Sequence, residues 1–283
     1  MKKKLTAQGP RGRQSFTVTL PIEWIKQHHL DKQREVELAS VGNNLVISPE
    51  KADEERITLS LDQYKKTVPK VLQGVYRLGI SELKLTFTDA KILEEVQRIQ
   101  TRLIGYEIIE QGKNYLIMKD ITKESSEDFS TILRRVFLLL LELSTAATQQ
   151  HITSLDNNIK RLINYGQRIL VKQGHADYQR VPFYYTLLHE LEKIGDEYTW
   201  LLPVVQNKQL FELNSCLQKA YELLYKFNPE VYNHYQYLTF ELKQQEKKSS
   251  SPVSLHHHTL ARRLNTLYGL IFCLSFSQKG QEK

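Results

Sequence analysis

Two arginines, Arg11 and Arg13, lie in the short turn GPRGRQS near the start of the sequence. A guanidinium group presents several N–H donors in a fixed fork, which suits phosphate oxygens and the edge of a guanine base. Lys2, Lys3 and Lys4 add to this charge, and the first 20 residues contain no acid. The stretch is therefore a candidate site for a polyanion, although terminal lysines alone also serve simply to solubilise a chain end.

A second pair of chemically useful residues lies in LHELEKIGDEYTWLL. Glu192 and Asp196 are four residues apart, so on a helix they face the same way. Two carboxylates at this spacing, joined by others from neighbouring helices, can hold a divalent cation inside a bundle. The alternative is that Glu192 pairs with Lys193 or another base and that Asp196 is merely solvated.

Motifs typical of enzymes do not occur in the sequence. It has no Gly-rich phosphate loop, no Gly-x-Ser-x-Gly and no His-Glu-x-x-His. Cys216 and Cys273 fit no metal-ligand spacing. The triple histidine 256–258 would project in three directions from a helix. We therefore expect that the protein is not an enzyme.

The first 50 residues predict a small β structure. Phe16, Val18 and Leu20 alternate with threonines, which is the period of a half-buried strand. Pro21 suits the first turn of a helix that we expect to reach His28. REVELAS and NNLVISP predict two further strands, joined by a hairpin turn at Gly42 and Asn43. A unit this small buries little by itself and usually needs a partner.

Residues 56–121 alternate between strand and helix patterns. RITLSL, ELKLTF, GYEIIEQ and NYLIMKD predict strands, and the last two form a hairpin. Helical spacing covers Asp62 to Leu78, and Asp89 caps a second helix that continues to Leu103. The order β-α-β-α-β-β predicts a small α/β sandwich.

From Ser126 onward the sequence predicts only helices. Apolar residues recur at steps of three and four, as in packed bundles. We expect six helices, at roughly 127–149, 151–173, 183–205, 207–227, 229–246 and 255–276.

Composition agrees with a globular protein of the cell interior. The chain of 283 residues is 41% hydrophobic, 25% charged and carries a net charge of +7. The longest apolar runs, Val136–Leu141 and Leu267–Phe276, are too short to cross a bilayer. No apolar run follows the first lysines, so we expect no signal peptide. Cytoplasmic localisation without membrane insertion follows as an expectation.

The N-terminal run from KLTAQGPRGRQSFTVTLP to ELASVGNNLVISPEK resembles the swapped-hairpin DNA-binding domain of the AbrB/MazE/SpoVT class. Gln33 and Arg34 stand where that class commonly has an acidic residue and a glycine. The resemblance implies a homodimer in which two chains interleave hairpins into one β-barrel, with the basic loops facing double-stranded DNA. It assigns the DNA contacts to a set of N-terminal residues: Lys4, Arg11, Arg13, Gln14 and Ser15.

The remainder resembles archaeal proteins that join this domain to a PhoU-like helical domain. The segments LQGVYRLGISELKLTF, RLIGYEIIEQGKNYLIMKDI and FSTILRRVFLLLLEL carry the likeness, as does LHELEKIGDEYTWLL. The resemblance implies a phosphate transporter or signalling protein as partner. It also implies a divalent metal ion in the bundle, the one cofactor we expect, with Asp156 joining Glu192 and Asp196.

The sequence as a whole predicts an α+β multidomain protein. A swapped-hairpin β-barrel domain occupies residues 1–52, an α/β sandwich 53–122, and a PhoU-like all-α helical bundle 123–283. The expected function is a DNA-binding transcriptional regulator linked to phosphate uptake or homeostasis. The alternative is a PhoU-like adaptor that does not bind DNA and regulates a phosphate transporter or sensor kinase through protein contacts, with a bound metal ion as a further option.

Overall fold

The computed structural model describes residues 3–10, 12–41, 44–49, 56–122, 129–175, 177–245 and 251–275. The chain divides into two compact units, of which the first comprises Met1–Ser40 and Asn44–Asp53 and the second comprises Val41–Asn43 and Glu54–Lys283. The α/β residues and the C-terminal helices therefore belong to one unit. The domain boundary at residue 122 stays a prediction.

The N-terminal unit contains two small sheets and two short helices. Strands β1 (Thr6–Gln8) and β2 (Ser15–Thr17) pair antiparallel. Helix α1 covers Ile22–Gln27 and α2 is a single turn, Leu30–Gln33. Strands β3 (Glu37–Val41) and β4 (Asn44–Ser48) form the second sheet.

The strand predicted through Phe16, Val18 and Leu20 is shorter than expected, since β2 ends at Thr17, and its residues are exposed rather than half-buried. The helix opened by Pro21 is present, and the Ile25 N–H donates to the Pro21 carbonyl oxygen at 3.1 Å. Arg34 has φ +57°, the left-handed region in which glycine is the usual residue. The turn predicted at Gly42 and Asn43 lies outside the described residues. In the described part of this single chain the two sheets are separate and form no closed barrel.

The second unit begins with a four-stranded sheet and two helices. Its elements are β5 (Arg56–Ser60), α3 (Val68–Arg77), β6 (Glu82–Thr86), α4 (Lys91–Gln100), β7 (Tyr106–Gln111) and β8 (Tyr115–Asp120). The sheet order is β5-β6-β8-β7, with β5 and β6 parallel and the other pairs antiparallel. This confirms the predicted order of elements.

Alternation along β6 places its apolar side chains in the core, since Leu83 and Leu85 are fully buried and the other residues of the strand are half-buried. On β8 the three consecutive residues Leu116, Ile117 and Met118 are all buried. Helix α3 begins at Val68, which is later than the start at Asp62 that the spacing predicts. Pro69 explains this, because proline lacks an N–H and fits a helix only in its first turn.

The rest of the unit consists of helices, in agreement with the predicted helical region. They are α5 (Phe129–Leu143), α6 (Gln149–Lys172), α7 (Val181–Leu201), α8 (Phe211–Tyr225), α9 (Pro229–Gln245) and α10 (Pro252–Ser275). Thr148 caps α6, since its hydroxyl accepts the His151 N–H at 3.3 Å. Among the described residues, no helix combines the length and the apolar character needed to cross a membrane.

One buried arginine joins α6 to the α/β part. The side chain of Arg168 is 3% exposed. Its guanidinium donates to the carbonyl oxygens of Tyr76 and Ile80 at 2.6 and 2.9 Å, and to Asp120 Oδ2 at 2.6 Å. Tyr76 lies in the last turn of α3, where helices leave acceptors without an intrahelical partner, and Ile80 lies in the connection between α3 and β6. Arg168 therefore caps α3 and neutralises the last residue of β8 at once.

Two further arginines lie in the α/β part and donate hydrogen bonds to residues of the helical part. Arg77, the last residue of α3, donates to Asn164 Oδ1 at 2.8 Å and to Glu192 Oε2 at 3.2 Å. Arg102, just after α4, donates to Asn157 Oδ1 at 2.7 Å. Because Asn157 and Asn164 are seven residues apart, they lie on one face of α6. That face packs on the α/β part along its length.

We expect Arg168→Met to lower the free energy of unfolding by about 3–5 kcal/mol, because it removes the buried cation beside Asp120, leaving Lys172 at 3.3 Å as the remaining ion-pair partner, and removes a donor to two carbonyl oxygens. Urea unfolding followed by circular dichroism measures this change. Adding Asp120→Asn to Arg168→Met should recover part of the loss, since the less well compensated carboxylate charge then disappears. The control is Arg98→Ala, which removes an exposed pair with Glu95 and should cost no more than about 1 kcal/mol. Equal losses for Arg168→Met and Arg98→Ala would contradict this role.

Candidate functional site

The hairpin of β1 and β2 positions the basic turn. The last paired residues are Gln8 and Ser15, so the turn lies between them. Within it the Arg13 N–H donates to the Pro10 carbonyl oxygen at 3.1 Å. The turn is thus closed by its own backbone.

Two glycines give the turn its shape. Gly9 and Gly12 have φ of +101° and +93°, values that residues with a side chain rarely adopt. At Gly9 an added Cβ would also lie 2.9 Å from the Arg13 carbonyl oxygen. Glycine at position 9 therefore lets the backbone of Arg13 approach closely.

The structure places the predicted contact residues at different points of this hairpin. Lys4, Arg13 and Gln14 are exposed, and Lys3 beside them is exposed as well. The Ser15 hydroxyl donates to the Gln8 carbonyl oxygen at 3.5 Å, a contact within the hairpin. Arg11 lies outside the described residues. Arg13 has no ion-pair partner in the part of the chain that the structure describes, so its charge is available to a ligand.

The same unit leaves its apolar side chains exposed. Among its described residues with assigned burial, Leu30 is the one buried hydrophobic side chain. Phe16 is 63% exposed, Leu38 60% and Leu45 61%. Other exposed apolar residues of the unit are Leu5, Val18, Ile22 and Val46. Because so few of its apolar side chains are covered, this unit is a candidate for packing against another surface.

The carboxylates predicted to hold metal are held by cations of the chain. Glu192 contacts Arg77, as described above. The ammonium of Lys160 lies 2.8 Å from Asp156 Oδ2 and 3.0 Å from Asp196 Oδ1, and Lys193 lies 3.0 Å from Asp196 Oδ2. The structure thus brings Asp156 and Asp196 together, with a lysine between them.

The electrostatics of this cluster follow from its pairing. Burial alone would raise the pKa of Asp196, but hydrogen bonds from Lys160 and Lys193 and their charges outweigh it and lower the pKa. Burial alone would lower the pKa of Lys160, but hydrogen bonds to Asp156 and Asp196 and their charges raise it. Both shifts favour the charged forms, so the cluster is an ion-pair network at neutral pH.

Metal binding by Asp156, Glu192 and Asp196 therefore stays a prediction. It would require Lys160 to move away from the two aspartates. Within the described ranges, no group of three histidine, cysteine, aspartate or glutamate side chains is arranged to hold a metal ion. In the triple histidine, His256 stacks on Trp200 with ring centres 3.7 Å apart, and its Nδ1 lies 2.7 Å from Glu197 Oε2. His256 thus joins α10 to α7.

Some residues that matter in this region were not singled out from the sequence. Lys160 follows Asp156 by four residues, a spacing that typically pairs opposite charges on a helix, so the sequence did contain that signal. No local spacing marks Arg77 or Arg168 in this way, because their carboxylate partners, Glu192 and Asp120, are 115 and 48 residues away in the sequence.

Comparison with known proteins adds no relative to this description. No family model matches the chain, and neither a curated protein nor a solved structure matches it. The description of the candidate site therefore rests on the sequence and geometry of this chain.

We expect Asp196→Asn to lower the free energy of unfolding at pH 7 by about 1 kcal/mol, a small value because the Asp196 side chain is 37% exposed and water screens the pair. A carboxyl whose pKa is lowered by folding stabilises the protein above its unfolded pKa of about 3.9 and loses that contribution as the pH falls through the folded pKa. The difference between variant and wild type should therefore shrink near pH 2.5.

Urea unfolding at both pH values measures this. Glu94→Gln, which changes an exposed carboxyl on α4, is the matched control and should shift either free energy by less than about 0.5 kcal/mol. If Asp196→Asn costs the same at both pH values, the carboxylate of Asp196 does not stabilise the bundle through its charge.

Proposed function

We propose that the protein is a homodimeric DNA-binding regulator whose helical part receives a signal or binds a partner protein. The observation that carries this proposal is the basic turn on a hairpin whose unit cannot cover its own apolar side chains. Cations on the turn suit a polyanion, and the uncovered apolar surface suits a second copy of the unit. A dimer bound to DNA would provide both the polyanion for the turn and the cover for the apolar side chains.

The charge distribution supports nucleic acid as the polyanion. The first acid of the chain is Glu23, so Lys3, Lys4 and Arg13 project from a region without carboxylates of its own. The backbone closure of the turn limits the freedom that Arg13 loses on binding. Each phosphate that such a side chain neutralises releases counterions and adds favourable free energy. A dimer presents two such turns, which doubles the number of contacts.

The uncovered apolar residues support the second copy as the first partner. Burying a side chain such as Phe16 or Leu45 contributes about 1.5–3 kcal/mol, and several such residues lie on the two small sheets. Two-stranded sheets are marginal alone but stable when another sheet covers them. In the proposed dimer the hairpins of two chains complete one barrel, as the resemblance to the swapped-hairpin class implies.

The regulatory part of the proposal concerns the second unit. A link to phosphate uptake or homeostasis, with a transporter or signalling protein as partner, rests on the resemblance to PhoU-like proteins. The cytoplasm, where DNA and such partners meet, is the proposed compartment. The arginines 77, 102 and 168 support a coupled response, because a shift of α6 in the bundle would displace the α/β part with it.

For DNA binding, we expect Arg11→Ala/Arg13→Ala to weaken binding to a fluorescein-labelled duplex of mixed sequence by roughly tenfold or more at low salt. The slope of log K against log salt should become shallower by roughly 2–4, because phosphate contacts are lost from both chains. Fluorescence anisotropy over a salt series measures both. Lys66→Ala/Lys113→Ala removes the same charge from exposed positions of the α/β part and should change neither. Unchanged affinity in the arginine variant removes the DNA proposal.

For the dimer, we expect Phe16→Asp/Leu45→Asp to convert the protein to a monomer, because carboxylates would then occupy the apolar surface between the copies. Light scattering coupled to size-exclusion chromatography gives the mass. Leu78→Asp, at a leucine that is 65% exposed in the α/β part, is the control and should leave the dimer intact. A wild-type protein that is monomeric at micromolar concentration would rule out this assembly.

A further inference from the structure

A surface groove of about 150 Å³ lies between α8 and α9. On the α8 side Phe211 is 72% exposed, and Cys216, one helical turn further on, is fully buried at the base. On the α9 side Leu238 and Leu242 are half-buried. Their spacing of four residues places both on one face of α9. The groove is therefore an open apolar surface between two helices.

The interior of this groove is chemically inert. Burial raises the pKa of the Cys216 thiol to about 12, so the sulfur remains a neutral, apolar thiol at physiological pH. Ser215 also lines the groove, and its hydroxyl oxygen accepts a hydrogen bond from the Lys219 ammonium at 3.5 Å. The base of the groove thus offers packing surface rather than reactive groups.

Carboxylates flank the groove on both sides. Glu212 lies on α8 and Glu241 on α9, and both line the groove. Neither has an ion-pair or hydrogen-bond partner within the described residues, in contrast to Glu190 and Glu192 of the neighbouring α7. The two carboxylates carry negative charge, whereas the chain as a whole carries a net charge of +7. The groove therefore combines an apolar base with an acidic border.

We propose that this groove binds a basic amphipathic helix of a partner protein. Apolar side chains on one face of such a helix would pack against Phe211, Leu238 and Leu242, as in other helix-in-groove complexes. Lysine or arginine side chains beside them would reach Glu212 and Glu241. Complementary charge of this kind raises the association rate and excludes acidic partners.

Two other occupants fit the groove less well. Small-molecule sites usually have volumes of roughly 300–1,000 Å³, well above the volume here. A second copy that used the same groove in a two-fold contact would bring Glu212 and Glu241 against their own equivalents, and like charges in a contact repel. The proposal concerns the second unit alone and is independent of DNA binding by the first.

The test uses the full-length protein and a short fluorescein-labelled probe peptide. The peptide carries leucine at positions i, i+3, i+4 and i+7 and lysine elsewhere, and a matched peptide carries glutamate in place of lysine. We expect the lysine peptide to bind with a dissociation constant on the order of 10 µM in fluorescence anisotropy, and the glutamate peptide to bind at least tenfold more weakly. Phe211→Ser should weaken binding of the lysine peptide by roughly tenfold.

A charge exchange sharpens the test. Glu212→Lys/Glu241→Lys should reverse the preference, so that the glutamate peptide binds more tightly than the lysine peptide. Matched controls are Tyr178→Ser, at an aromatic residue that is 59% exposed on another part of the unit, and Glu94→Lys on α4. Neither control should change binding of either peptide.

Three results would overturn the proposal. They are no binding of the lysine peptide at roughly 100 µM, binding that Phe211→Ser and the charge exchange leave unchanged, and a lower oligomeric mass of Phe211→Ser in light scattering. The last result would assign the groove to a second copy. Affinity for the DNA duplex should stay the same in Phe211→Ser, so failure here is distinguishable from failure of DNA binding.

Discussion

The buried guanidinium of Arg168 is the contact on which the architecture of the second unit depends. A charge removed from water costs several kcal/mol unless its donors are satisfied and an opposite charge is close. Both conditions are met, because the carbonyl oxygens of Tyr76 in α3 and of Ile80 just beyond it, together with the carboxylate of Asp120, surround the guanidinium. The rings of Tyr76 and Tyr106 lie 4.7 and 5.4 Å from it and add attraction between cation and π system. The position of α6 is therefore fixed by directional contacts as well as by apolar packing.

Asp120 shows how the same contact extends to the sheet. Burial alone would raise its pKa, but hydrogen bonds from Thr122 and Arg168 and the charges of Arg168 and Lys172 outweigh burial and lower it. The carboxylate thus stays ionised at the end of β8. Together with the contacts of Arg77 and Arg102, these hydrogen bonds hold α6 to α3, to β8 and to the segment after α4. A ligand that moved α6 would have to strain several charged contacts at once.

The two units differ in how well they cover their own apolar side chains. In the second unit a continuous core runs from Leu61 to Leu274, with most of its members nearly inaccessible. In the N-terminal unit Phe16 and Leu45 are more than half exposed on sheets of two strands each. This contrast makes the N-terminal unit the place where another chain is needed. The groove between α8 and α9 is a smaller exception within the otherwise well-packed second unit.

Local pattern was enough to predict most of the secondary structure. Apolar residues that recur every second residue predicted the strands, and apolar residues that recur every three to four residues predicted the helical region. Both patterns reflect burial of one face of an element. The predicted start of α3 at Asp62 was six residues too early, although Pro69 is a local signal for the observed start at Val68. The basic turn could be found from its composition, because Gly9 and Gly12 mark the backbone and the arginines mark the charge.

Pairing between distant elements could not be read in this way. Glu192 and Asp196 share a helix face, as their spacing predicts, but each is neutralised by a base on another element. Arg77 comes from α3 and Lys160 from α6, and nothing local connects them to α7. The sequence by its periodicity and turn residues settled which segments are helix, strand or basic turn. The tertiary structure alone decided which charges on different elements meet, because partners dozens of residues apart are brought together only by the packing of whole elements.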